Sequence, residues 1–327
     1  MEKYFFHKQD TRYGYAAGRV AILEKSILDK NAYRELILAH SVEGVLRLLE
    51  NKHGFRAENH NLKILWEDIL NKEFSSVYNL VYELAPKKEE FDVFSLRYSF
   101  HNLKVRLKEK FAGKAIDTPL FEIGPVLLEK TSLVLQQIVT KIEQKFYKDG
   151  RFQDIDCILD EEYFNFLLIE TEKYKIPLIE SLVKMWIDLA NIKLFFRFKI
   201  MRKDKSNLSE FLFANGNFEQ SFYVDIYGLK FDDLKKETRN NYYTDLFLTG
   251  IKCLEDVKSM EELEKSCDKF ILQRFNETKY IVFGIEPLIR YLLRKENEMK
   301  ILRMIFVGKE NNISHNEIEE KIAGYYV

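Results

Sequence analysis

Polar and apolar positions in WIDLANIKLFFRFK (186–199) sort into four stripes when the segment is wound as an α-helix. With Asp188 at zero, Asn191 and Lys199 lie within about 60° of it, and Lys193 and Arg197 lie opposite, beside Trp186. Ile187, Leu194 and Phe198 fill one flank between the polar stripes, and Leu189 and Phe196 fill the other. A helix lying on a protein surface shows a single apolar stripe. Two such stripes predict a helix sandwiched between neighbours. Its charges must then emerge along seams or meet partners, because an unpaired buried charge is costly. Helix is the expectation nearly everywhere else too. Long runs rich in Leu, Ile, Glu, Lys and Phe contain few breakers, with 13 glycines and 5 prolines in the whole chain. Period-two alternation around an NG or DG turn is missing, apart from weak aromatic stretches such as FYVDIYG.

The pattern also repeats. YSFHNLKVRLK (98–108) aligns with IDLANIKLFFR (187–197), placing Asn102 on Asn191, Lys104 on Lys193 and Lys108 on Arg197. RKENEMKILRM (294–304) is a plausible third copy, with Lys300 on Lys193 and with Glu298 in the Asn position. Upstream, ILDKNAYRELI (27–37) aligns with ILDEEYFNFLL (158–168), and Asp29 and Asp160 each look like the N-cap of a helix. Two clear repeats and one degenerate repeat follow, each of about 90–110 residues. The divisions fall at 1–117, 118–210 and 211–327. Pro86, Gly124–Pro125, Pro177, Gly216 and the FGIEP turn break the helical text. Glu286 and Pro287 suit the first turn of the last long helix. No linker is rich in Ser or Gly, so the repeats are expected to pack into one body.

Composition narrows the function classes. Basic and acidic residues number 51 and 52, which argues against a dedicated nucleic-acid binder. The three cysteines, Cys157, Cys253 and Cys267, are far apart, as expected of buried thiols in a reduced compartment. The start, MEKYFFHKQD, lacks the pattern of a signal peptide. No apolar run reaches the roughly 18–20 residues that cross a bilayer. A membrane reading of 186–199 fails because central Asp, Lys and Arg each cost on the order of 2.5–3.5 kcal/mol there.

Signatures of catalysis are missing. There is no GxxxxGK[ST] phosphate loop and no GxSxG elbow. Gly14 and Gly18 in YGYAAG form a GxxxG, which most simply allows close helix packing. His7, His40, His53, His60, His101 and His315 show no HExxH or other usual ligand spacing and read as surface or satisfied side chains. DIDCILDEEY (154–163) lacks EF-hand spacing and reads as a capped helix start with solvated acids. Distant residues could still assemble a site, for instance a metal hydrolase using this acidic segment. From the residues alone, an all-α, internally repeated scaffold or adaptor is favoured, with no cofactor and no small-molecule substrate.

Three stretches together resemble one family: YGYAAGRVAILEKSILDKNAY (13–33) with SVEGVLRLLENKHGF (41–55), ILDEEYFNFLLIETEKYKIPLIESLVKMWIDLANIKLFFR (158–197), and FGIEPLIRYLLRKENEMKILRMIFVGK (283–309). They are similar to the C subunit of the archaeal and bacterial V-type (A-type) ATPase, the relative of the eukaryotic V-ATPase d subunit. The likeness spans essentially the whole chain in order and is weakest over 204–280. It implies an all-α fold of three pseudo-threefold related helical units forming a funnel. It implies a non-catalytic socket joining the D and F subunits of the central stalk to the membrane ring of proteolipid subunits. The chain would then sit peripherally at the cytoplasmic face of the membrane, and ATP turnover would be linked through it to proton or sodium transport. On this reading Asn102, Lys104, Asn191, Lys193, Arg197, Lys300 and Arg303 are candidate interaction residues, lining helix seams or a central mouth. Their alternative use is pairing with acids between helices.

Overall fold

The computed structural model describes residues 10–55, 66–116, 118, 120–123, 132–255 and 260–326. Among these the chain is all-α, with fifteen α-helices and no strand. In order they are α1 (Gly14–Leu23), α2 (Lys30–Leu38), α3 (Val42–His53), α4 (Trp66–Leu84) and α5 (Asp92–Ala112). Next come α6 (Ser132–Asp149), α7 (Phe152–Tyr174), α8 (Pro177–Ile200), α9 (Lys205–Phe211) and α10 (Gln220–Tyr227). The last five are α11 (Phe231–Glu237), α12 (Thr244–Glu255), α13 (Glu261–Asn276), α14 (Glu286–Glu310) and α15 (His315–Ile322). The chain divides into two compact units. One is drawn from Met1–Phe6, Arg106–Ala112 and Thr131–Asp268; the other is drawn from His7–Val105, Gly113–Lys130 and Lys269–Val327.

Local chemistry sets many of the ends. Asp29 caps α2 by accepting from the Ala32 amide at 2.8 Å, and Ser41 caps α3 through the Gly44 amide at 3.2 Å. Gly54, at φ 73°, closes α3 in the left-handed conformation that glycine adopts without strain. Pro177 and Pro287 stand in the first turns of α8 and α14, where a missing N–H costs nothing.

In the second unit α14 is the central element, packed along α4 and against α1, α3 and α15. Leu288, Ile289, Leu292, Leu302, Ile305 and Phe306 are fully buried along it. Trp66 stacks on Phe306 with ring centroids 5.1 Å apart. In the first unit α8 plays that part, packed against α7, α9, α10 and α12. Ile187, Leu189, Phe196 and Phe198 on its two apolar flanks are buried, and Leu194 is half-buried, as two stripes predicted. Phe195 and Phe196 meet Tyr223, Tyr227 and Phe247 in an aromatic cluster.

Several expectations need correction. Asp160 is not an N-cap: α7 begins at Phe152, and the whole of 154–163 lies inside it. The acids there are spread around one continuous helix whose neighbours carry lysines. Asp154 pairs with Lys145, Asp156 with Lys108, and Glu162 with Lys141, so no capped start is needed to satisfy them. The GxxxG at Gly14 and Gly18 does not mark a tight crossing. A Cβ at Gly18 would meet nothing within 4 Å, and the buried small residues of α1 are Ala16 and Ala17. The aromatic stretch 222–228 is not extended, because Tyr223 and Ile226 bury one face of α10. The Gly124–Pro125 break, His7 and His60 lie outside the described residues.

Candidate functional site

Two polar side chains of α8 hold a loop. Asn191 is fully buried and reads the Phe213 backbone in both directions: its amide donates to the carbonyl at 2.8 Å and its oxygen accepts the N–H at 2.8 Å. One turn earlier, the buried Asp188 carboxylate accepts from the Asn217 backbone at 3.1 Å, the Asn217 amide at 2.8 Å, the Phe218 backbone at 3.1 Å and the Tyr243 hydroxyl at 2.8 Å. Gly216 makes this approach possible, since a Cβ there would fall 2.3 Å from an Asp188 oxygen. Burial raises Asp188 above its ordinary value, opposed by the hydrogen bonds from Asn217 and Tyr243. Four donors converge on the carboxylate, three on Oδ2 and one on Oδ1, so it anchors the loop.

The second unit contains the same clasp. Asn102 on α5 donates to the Phe121 carbonyl at 2.7 Å and accepts the Phe121 N–H at 2.9 Å. Arg303 of α14 meets the same residue, its guanidinium 5.4 Å from the Phe121 ring centroid, while it donates to Asn71 of α4 at 3.3 Å. Burial lowers the Arg303 pKa, and its Nε is buried without a hydrogen-bond partner. The structure therefore brings Asn102 and Arg303 together at Phe121. Lys300 is exposed on α14, with its ammonium 4.6 Å from the Tyr325 ring centroid. Lys104 is half-buried on α5.

Glu298, which takes the place of Asn in the third copy, accepts the Leu28 backbone N–H at 2.8 Å. A carboxylate keeps the acceptor half of the clasp and loses the donor half. Lys295 answers its charge at 2.5 Å. Burial alone would lower Lys295, but Glu298 and Glu73 outweigh it, so the ammonium pKa is raised. Two residues before Glu298, Glu296 receives the Tyr78 and Tyr98 hydroxyls and pairs with Arg97. Sequence reasoning missed the partners Phe121, Phe213 and Leu28. A signal existed for two of them, because an aromatic residue stands 19 or 22 positions after each Asn.

The remaining predicted residues lie on α8. Arg197 is exposed and pairs with Glu264 of α13 at 3.3 Å. Lys193 is half-buried and acts on Cys267 of α13, whose thiol burial pushes up to about 12 while the lysine pulls it down. A cavity of about 730 Å³ opens in this unit, lined by Lys145, Asp154, Cys157, Phe164, Phe211 and Phe213 among others. Among the described residues no group of three or more His, Cys, Asp or Glu side chains is placed to hold a metal ion, and no helix is long and apolar enough to cross a membrane.

The profile of the family described as ATP synthase (C/AC39) subunit matches residues 16–321. The chain belongs to this family of V/A-type ATPase C subunits. It is 23% identical over 346 residues to the C subunit of the A-type ATP synthase from Methanocaldococcus jannaschii, covering 94% of this chain and 85% of that relative. It is 21% identical over 322 residues to the C subunit of the V-type sodium ATPase from Enterococcus hirae, covering 93% and 95%. A third C subunit, from the A-type ATP synthase of Methanosarcina acetivorans, is 23% identical over 344 residues, with 97% and 94% covered. The match of this C/AC39 chain includes 204–280, the part whose sequence resembled the family least. There the clasp residues Phe213, Asn217 and Tyr243 meet α8.

Proposed function

We propose that this chain is the non-catalytic hub of a rotary V/A-type ATPase, seating the D–F shaft and passing its rotation to the proteolipid ring. ATP hydrolysis or synthesis is thereby linked to proton or sodium transport, with the hub peripheral at the cytoplasmic face of the membrane. The observation that carries this reading is the family match over residues 16–321. The names of the relatives, C subunits of an A-type ATP synthase and of a V-type sodium ATPase, agree with it.

A hub must resist twist, and three helical repeats closed around an axis as a funnel suit that demand. The recurring clasp supports the repeat reading over 1–117, 118–210 and 211–327. Asn102, Asn191 and Glu298, which align in sequence, each capture a backbone amide of a connecting segment. Lys104, Lys193, Arg197, Lys300 and Arg303 are then the candidates for contact with the shaft. Reconstitution tests the function. Purified chain mixed with a D–F shaft and detergent-solubilised proteolipid ring should give a ternary complex that fails to form without it. A chain that binds neither, or that binds soluble proteins of another kind instead, overturns the hub in favour of a helical adaptor.

A further inference from the structure

Helix α1 turns its apolar residues in two opposite directions. Tyr13, Ala16, Ala17 and Val20 are buried. Tyr15, Gly18, Arg19 and Ile22 share the opposite arc, of about 100°, and all are exposed. Tyr15 is 75% and Ile22 65% exposed. The segment before α14 adds Tyr280 at 81% and Val282 at 60%, and the Phe283 ring lies against Gly14 at the start of α1. Five large side chains are thus exposed on α1 and on the segment whose Phe283 packs at its start.

The charged groups nearest them in sequence are net positive. Arg19, Lys25 and Lys279 are exposed, and the Lys279 ammonium sits 4.8 Å from the Tyr280 ring centroid. Three nearby carboxylates pair with arginines, Asp10 with Arg12, Glu24 with Arg290 and Glu277 with Arg274, and Glu286 is buried. What remains is cationic and aromatic, with tyrosines and long basic side chains beside aliphatic ones. That composition suits the headgroup zone of a bilayer, where tyrosine places its ring in apolar surroundings and its hydroxyl in water. The exposed Arg19, Lys25 and Lys279 beside these side chains give anionic headgroups their electrostatic complement.

We propose that this face, Tyr15–Arg19–Ile22 with Tyr280, Val282 and Phe283, is a membrane-contact surface that seats on anionic phospholipid headgroups. A lipid face belongs to the hub reading, on which it rests. Flotation of the full-length chain tests it, with vesicles of phosphatidylcholine alone or with about one third phosphatidylglycerol. The chain should float with the anionic vesicles and not with the neutral ones, and salt should release it. Tyr15→Ser, Ile22→Ser and Tyr280→Ser combined should weaken binding about tenfold or more, and Arg19→Glu on the order of fivefold. Melting should be unchanged, because every altered side chain is exposed. Absent flotation, equal binding to neutral vesicles, or a triple variant that binds like the parent overturns the lipid face. So does a triple variant that keeps flotation but loses capture by the detergent-solubilised proteolipid ring, or that dissolves a dimer seen by sedimentation. The vesicles hold no other protein, so shaft binding that survives failed flotation leaves the hub standing while the lipid contact falls.

Discussion

Asp188 shows how one buried side chain can hold a loop that has little structure of its own. Its oxygens accept from four donors, and an amide in its place would turn an N–H toward groups that are themselves donors. Asp188→Asn should therefore destabilise the chain by about 2–4 kcal/mol, read from the urea midpoint. The pH dependence has a definite sign. Burial raises the Asp188 pKa, so the folded carboxyl keeps its proton to higher pH than the unfolded one. Its contribution is full below the ordinary aspartate range and is lost as pH rises through the folded value. Just above the ordinary range, parent stability should fall with pH relative to Asp188→Asn; parallel curves would remove this account. The polar stripe holding Asp188, Asn191 and Lys199 was legible in the sequence. What the stripe met was not, because Phe213, Asn217 and Tyr243 lie 22 to 55 residues away and come close only through tertiary packing.

Among the helices, glycine spacing was a poor guide to close approach. The GxxxG of α1 faces open space at Gly18, whereas the tight crossings fall at glycines without any motif. A Cβ at Gly250 of α12 would lie 2.3 Å from the Phe196 ring of α8, and one at Gly308 of α14 would lie 2.7 Å from Ile318 of α15. Gly250→Ala and Gly308→Ala should each cost about 1–3 kcal/mol by overpacking. Gly18→Ala should instead gain about 0.5–1 kcal/mol from helix propensity alone. Thermal melts of the three variants separate the cases. The long helices α5, α8 and α14 follow from their breaker-free text. Helices α9, α10 and α11 have only seven or eight residues, too short for periodicity to speak, and depend on packing for their stability. The acidic run of α7 misled for a different reason. Asp followed by a helical pattern marks a cap only when the preceding residues are not already helical, and here they are.

For the whole molecule, the proposed hub role rests on family membership, and the basic residues of α8 give it a local test. Arg197 is exposed and its pair with Glu264 is solvent-screened, so alanine at Lys193 and Arg197 together should change stability by less than about 1 kcal/mol. Lost D–F shaft binding with an unchanged melt places these residues at the shaft contact; lost stability with intact binding removes them from it. Thiol chemistry gives an independent check of the fold. Cys253 and Cys267 are buried, so the native chain should react with a thiol reagent at Cys157 first, and only slowly there, because burial raises that thiol as well. Unfolding should release all three.

The bond from the Leu28 amide to Glu298 joins positions 270 residues apart, and Arg290 to Glu24 and Lys309 to the Ile37 carbonyl span 266 and 272. A ribosome adding about 5–20 residues per second leaves the beginning of the polypeptide waiting for tens of seconds before α14 emerges. Until then the amide of Leu28 has no final partner, and the apolar underside of α1 lacks the helix that covers it. Maturation of this unit therefore waits for α14, and a nascent chain stalled before α14 is a natural client for chaperones.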